Sequence, residues 1–225
     1  FLTDKVGLDP EKLYVTVFFV YKQFDLPKDE VSAKYWQDLF IKKGLKADIA
    51  DIGSEHDGYK RGIKANERVF YYDASKNWWA PEGKPSEMSE GQPGGPDSEV
   101  FYLFENVEHD EKWGKNCHPN CDCGRFMEIG NSVFMEYIRT KTGFDKLPSQ
   151  NVDFGGGLER IAAAKINSPD VFRISILLPI IESLEKLSGK KYEQHTNAMR
   201  VIADHLRGAV WLAVDDVAPS NKEQG

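Results

Sequence analysis

Hydrophobic and polar positions alternate between two regimes along this chain. Residues 13–20 read Leu-Tyr-Val-Thr-Val-Phe-Phe-Val, β-branched and aromatic as a central, buried strand requires. An amphipathic stretch over 30–43 follows. Asp29 is placed to cap it, Val31, Tyr35, Trp36, Leu39 and Phe40 share one side for burial, and two lysines precede a stop at Gly44. Strands are predicted over 68–72 and 99–104. Between them lies a polar, Gly/Pro-rich loop over 73–97, whose Trp78-Trp79 argues for the wall of a site. A second loop, 105–124, holds every cysteine, and 126–129 and 133–138 look extended. From Leu158 the period becomes helical: 158–166, 171–187 ending at Gly189, and 196–214. The expected fold class is α+β, an antiparallel sheet flanked by helices with a helical extension at the C-terminal end.

Composition narrows this picture. With 225 residues, the chain can bury one large domain or a domain plus part of another. The 40% hydrophobic and 29% charged content is that of a soluble globular protein, and no apolar run is long enough to cross a bilayer. The opening Phe1-Leu2-Thr3-Asp4-Lys5 has no cationic or long apolar leader, so an intracellular, cytoplasmic protein is expected. The 3 cysteines, Cys117, Cys121 and Cys123, crowd into one short segment, which argues for a reducing compartment and against a secreted disulfide framework. A net charge of −7 speaks against a broad phosphate-binding face, so any RNA contact must be local.

The segment richest in chemistry is Asn151-Val152-Asp153-Phe154-Gly155-Gly156-Gly157-Leu158-Glu159-Arg160. Glycines leading into a helix allow close backbone approach, the helix start offers N–H groups, and an arginine fork adds fixed positive charge for a phosphate or carboxylate. Asp153 is placed to hold an ammonium. The alternative is a glycine-rich turn that only packs a helix on a sheet. Neither the Walker A loop nor the dinucleotide fingerprint fits this spacing.

Gly155-Gly156-Gly157-Leu158-Glu159-Arg160 resembles the third signature motif of class II aminoacyl-tRNA synthetases, and its neighbours resemble the alanine-specific family. Asn151-Val152-Asp153 and Ile161-Ala162-Ala163 extend that block. Phe126 to Met135 resembles the family's L-E-I-W-N-x-V-F-M segment, while Arg200 to Arg207 with Pro219-Ser220-Asn221 resembles R-V-I-A-D-H-x-R and P-S-N.

The resemblance implies activation of alanine by ATP and transfer to tRNA(Ala), with residues 1–190 forming the later part of the catalytic domain and 191–225 the start of a helical tRNA-binding region. It implies catalytic roles for Arg160 and Asp153, with Arg160 on the ATP tail and Asp153 on the alanine ammonium. Asn131 would hydrogen-bond the amino acid, Val133 and Trp79 would line the methyl pocket, and Gly155 would keep room beside it. Glu99 and Glu128 would stand at the ATP site with Mg²⁺, and Asn221 would contact tRNA.

The family usually carries Trp at Gly130 and Cys at Gly94 and Asp97, so a different pocket wall is expected here. The resemblance starts after the family's first two motifs. This implies that the chain needs a partner, the N-terminal half of the catalytic domain, and is inactive alone. A non-catalytic module that binds alanine or a partner is the second reading. Cys117-His118-x-x-Cys121-x-Cys123 offers soft ligands but is cramped for a standard finger, so a plain reduced loop is preferred, with zinc on Cys117, Cys121 and Cys123 as the alternative. His205, beside Asp204 and Arg207, is expected in a buried polar contact.

Overall fold

A computed structural model describes residues 1–220. The chain forms two compact units, Phe1–Pro169 and Asp170–Gly225. The expected change of role was set at 190/191, twenty-one residues after this division.

The first unit is built on a seven-stranded sheet. Its strands are β1 (Leu13–Phe18), β2 (Asp48–Gly53), β3 (Glu67–Tyr72), β4 (Trp78–Trp79), β5 (Pro93–Leu103), β6 (Phe126–Arg139) and β7 (Phe144–Gly156). The order is β2-β3-β1-β5-β6-β7, with β4 paired to β5. Pairing is antiparallel from β1 through β7 and parallel at β2–β3 and β3–β1, so the sheet is mixed rather than antiparallel throughout. The helices are α1 (Glu30–Lys42), α2 (Glu55–Arg61) and α3 (Leu158–Lys165).

β1 is central, as its composition requires, and it alternates cleanly. Leu13, Val15 and Val17 join Val69, Tyr71, Val100, Tyr102 and Ile129 in the main core, closed by Ala33 and Phe40 of α1. Asp29 caps α1 through the Ser32 N–H at 2.9 Å, and Gly44 takes a left-handed φ of 82° just beyond it. The predicted buried side of α1 needs correcting. Only Ser32, Ala33 and Phe40 are buried, while Val31, Tyr35 and Leu39 are 67%, 70% and 52% exposed. The apolar stripe is wider than the strip the sheet covers. Small side chains at 32 and 33 let the helix sit close, and Trp36 tips inward to donate from Nε1 to Ser98 Oγ at 2.7 Å.

Three elements differ from the pattern-based expectation. β5 begins at Pro93 inside the supposed loop, because Gly95 can run where no side chain fits: a Cβ there would lie 1.8 Å from the Phe134 carbonyl oxygen. β6 is one long strand carrying a bulge where Val100 pairs with Gly130 and Phe101 with Glu128. The glycines at 155 and 156 end strand β7 instead of forming a turn, and only Gly157 caps α3. β2 and α2 were not anticipated. α2 is started by a capping box between Ser54 and Asp57, in which aspartate takes the place usual for Glu or Gln.

In the second unit, the expected helix over 171–187 is split. Val171–Arg173 forms one 3-10 turn, and α4 (Leu178–Ser188) starts where Pro179 can occupy the first turn, then ends at Gly189 with φ 68°. α5 (Thr196–Val214) follows, and Ile181, Tyr192, Met199 and Ala203 form the core. Asp170 ties this unit together, accepting from Tyr192 Oη at 2.7 Å and pairing with Arg200 Nη2 at 3.1 Å. His205 is exposed, 3.7 Å from Asp204 on the same helix, so its expected burial does not hold.

Candidate functional site

The sheet face turned away from α1 carries an unusual polar row. Thr16 of β1 pairs with Glu99 of β5, Glu99 with Asn131 of β6, and Asn131 with Gly155 of β7. Two residues along, on the same face, Asp97 pairs with Val133 and Val133 with Asp153. Side chains two apart on a strand share a face, so residues as far apart in sequence as Thr16 and Glu99, 83 positions, become neighbours. The bulge in β6 shifts the alternation, sends Ile129 into the core and brings Glu128 opposite Phe101, onto the face of Asp97 and Glu99.

The row is closely bonded. Thr16 Oγ1 donates to Glu99 Oε2 at 2.9 Å and accepts from Asn77 Nδ2 at 2.9 Å. The same amide donates to Asp97 Oδ1 at 3.0 Å, and Asn131 Nδ2 donates to Asp97 Oδ2 at 3.4 Å. Burial pushes the Asp97 carboxyl up to about 7, offset in part by Asn77 and Asn131. Burial likewise pushes Glu99 to about 8, with the neighbouring charges of Asp97 and Glu128 adding to the rise. Asn77 Oδ1 and Asn131 Oδ1 are buried without a hydrogen-bond partner. A cluster of carboxylates held away from water, with unused oxygens around it, is set to receive a cation.

Arg160 lies in the first turn of α3, over the same end of the sheet. Its Nη1 donates to the Glu128 carbonyl oxygen and to Glu128 Oε2, both at 3.2 Å, and its side chain is half exposed. Gly157 lies close beneath it: an added Cβ would come 3.0 Å from Arg160 Cδ, so the arginine stem would have to shift. At Gly155 an added Cβ would meet nothing within 4 Å, which leaves open space beside Asn131 and Asp153. Val133 is buried and Asp153 exposed at the rim. Trp79, half-exposed on β4, pairs with Gly95, while Trp78 is buried against Phe18, Tyr137 and Phe144.

The structure thus gathers Glu99, Glu128, Asn131, Val133, Asp153, Gly155 and Arg160 at one end of one face, with Trp79 on the adjoining short strand. Sequence reasoning passed over Asn77 and Thr16, and named Asp97 only as a departure from the family's cysteine. A lone hydroxyl between Val15 and Val17 was the signal for Thr16. Gly130 stands on the other face, where the Phe154 ring lies 3.3 Å from the place its Cβ would take, so its departure from the family pattern does not alter the wall of this site. Cys117, Cys121 and Cys123 form a separate group with His109, and Asn221 lies outside the described residues.

A sheet of this kind ending in a Gly-Gly-Gly-Leu-Glu-Arg strand-to-helix junction defines a class II synthetase fold. The family model for class II (A) tRNA synthetases matches residues 1–225, and the chain belongs to this family. Among curated proteins it is similar to the alanine–tRNA ligase of Treponema denticola, 34% identical over 98% of this chain and 32% of that protein. Those of Pediococcus pentosaceus (34%, over 97% of this chain and 21% of the relative) and Petrotoga mobilis (31%, 100% and 22%) are similar as well. The chain spans a third or less of the length of these relatives. Among the described residues, no helix is long and apolar enough to cross a membrane.

Proposed function

We propose that this chain supplies the amino-acid pocket and part of the ATP site of an alanine–tRNA ligase acting in the cytoplasm. The observation that carries the reading is the pair of cross-strand rows, Glu99–Asn131–Gly155 and Asp97–Val133–Asp153, with Arg160 beside Glu128 at their end.

In this reading Asp153 receives the alanine ammonium at the rim, Val133 faces the methyl group, and the space beside Gly155 admits the substrate backbone. Asn131 hydrogen-bonds the carboxylate by donating from its Nδ2 amide, and Trp79 closes the pocket. The carboxylate attacks the α-phosphorus of ATP, pyrophosphate departs, and alanyl-adenylate remains. Arg160 lies against the phosphate tail, where its charge offsets what builds up as pyrophosphate leaves. The elevated carboxyls of Asp97 and Glu99, with Glu128 beside them, fit a divalent cation, and these three would hold Mg²⁺, which would supply charge neutralisation for the phosphates. In the second step a terminal ribose hydroxyl of tRNA(Ala) attacks the carbonyl carbon and AMP leaves. Asn221 and α5 belong, in this reading, to the tRNA-facing part that begins near residue 191.

The test is calorimetric titration with a non-hydrolysable alanyl-adenylate analogue. Asp153→Ala and Arg160→Ala are each expected to weaken binding by at least about tenfold, the loss of about 1.4 kcal/mol. Equal affinity in the parent and Asp153→Ala would refute the ammonium assignment. An analogue bearing valine in place of alanine should bind poorly, and equal binding of both would refute the pocket.

A further inference from the structure

The loop between β5 and β6 spans about twenty residues with no helix or strand of its own, a length that calls for an explanation inside a compact unit. One side of it is anchored. Asn116 donates from Nδ2 to the carbonyls of Tyr59 and Lys60 at 3.0 and 2.9 Å. His118 is fully buried, with Nδ1 2.7 Å from Tyr72 Oη and its ring 4.5 Å from that of Tyr59. The histidine inside the cysteine motif is therefore committed to packing. A different one, His109, eight positions before Cys117, meets the cysteines instead.

The ligand atoms of His109, Cys117, Cys121 and Cys123 all lie within 4.8 Å of one another. Cys117 Sγ is 3.6 Å from Cys123 Sγ, and Cys121 Sγ is 3.7 Å from His109 Nδ1. A tetrahedral zinc with bonds of about 2.3 Å to sulfur and about 2.0 Å to nitrogen would set these edges near 3.8 and 3.5 Å. The sulfurs are too far apart for a disulfide, which needs about 2.05 Å. Imidazole orientation agrees: Nε2 lies 2.7 Å from the Gly114 carbonyl oxygen, so Nε2–H donates outward and the Nδ1 lone pair faces the sulfurs. That outer hydrogen bond to a backbone carbonyl is the arrangement that fixes the tautomer of metal-binding histidines.

We propose that His109, Cys117, Cys121 and Cys123 hold one structural Zn²⁺, which fastens the free limb of this loop to the limb already anchored on α2 and β3. Three thiolates and one imidazole select zinc over magnesium or calcium, and a fourfold protein ligand set leaves no open position for catalysis. Binding displaces three thiol protons to solvent, so the centre carries a net charge of about −1. This inference stands apart from the ligase reading and uses none of its residues.

The test is metal analysis of the full chain purified without a metal-affinity step, joined to thiol titration and cobalt substitution. About one zinc per chain is expected, together with thiols that react only after chelation. Co²⁺ should give thiolate-to-cobalt charge-transfer absorption with tetrahedral visible bands. Cys123→Ser and His109→Ala should lose zinc at least tenfold in affinity, Asp122→Asn on the exposed neighbour should keep it, and His109→Cys should retain a metal with a four-sulfur spectrum. His109→Cys keeps the test informative if the alanine variant fails to fold. The proposal is overturned by zinc-free chain with three freely reactive thiols and no cobalt charge transfer, or by undiminished metal in both Cys123→Ser and His109→Ala.

Discussion

Replacing Asp97 with asparagine should make the first unit more stable at mildly alkaline pH. Asp97 is held by burial at about 7 against an ordinary value of 3.8. Below about pH 4 the folded and unfolded chains both keep this proton. Between about pH 4 and pH 7 the unfolded chain gives it up while the folded chain retains it, so stability falls as pH rises and levels off above about pH 7. A displacement of about three pH units corresponds to about 4 kcal/mol, an upper bound because relaxation and water entry soften it. Asparagine has no charge to desolvate, and its shape allows the network to survive. Its oxygen can still accept from Asn77, and its amide can donate to Asn131 Oδ1, the atom now without a partner. Exchanging charge-assisted hydrogen bonds for neutral ones costs about 1 kcal/mol, leaving a net gain of about 2–3 kcal/mol at about pH 8 and little gain at about pH 5. Losing the charge should also relieve Glu99, whose elevation Asp97 reinforces. Urea unfolding at both pH values, read by near-ultraviolet dichroism of the buried Trp78 region, measures this. The reasoning fails if Asp97→Asn is less stable than the parent at about pH 8, or if the pH slope is the same in both.

Two further substitutions probe the frame around the site. Gly95→Ala should cost at least the about 3 kcal/mol at the top of the overpacking range, because its Cβ would fall 1.8 Å from the Phe134 carbonyl oxygen; thermal unfolding at normal apparent stability would show that the β5–β6 crossing is looser than described. Tyr72→Phe should cost about 1–3 kcal/mol by leaving His118 Nδ1 unpaired, since burial already lowers that histidine to about 4 and its Nε2 has no partner. A variant within about 0.5 kcal/mol of the parent in denaturant would refute this account of the buried histidine.

Some of this architecture could be read from the residues alone, and the failures have identifiable causes. The start of the Leu13 strand and the cap and stop of α1 follow from local chemistry and α5 from its helical period, and these are where the pattern puts them, although the strand ends at Phe18, two residues early. Periodicity gave the apolar stripe of α1 but not its rotation, which depends on how closely Ala33 can approach the sheet. The first half of β5 and all of β7 were hidden by Pro93, Gly94, Gly95, Gly155 and Gly156, residues that usually punctuate strands; Gly95 permits a close crossing at Phe134, and Gly155 borders open space. Glu99, Asn131, Asp153 and Arg160 were visible as parts of motifs. The bonded role of Asp97 and Asn77 was not, because it arises from burial, and the fourth zinc ligand was hidden by its distance from the cysteines.

The Ile129 bulge fixes the register of the sheet edge as well as aiming Glu128. Strand side chains repeat every second residue, so a slip of one position between β6 and β7 would exchange Asp153 and Gly155 for Val152 and Phe154 and erase the site while keeping every ladder of hydrogen bonds. The bulge and the tight passage of Gly95 over Phe134 hold the alignment of β5 on β6, and a separate register shift between Met135 and Tyr137 marks the pairing of β6 with β7. The row is complete only when Thr16 of β1 meets Glu99 of β5, 83 positions away, so the site forms only after that long connection has closed and should be among the last features to acquire native protection during refolding.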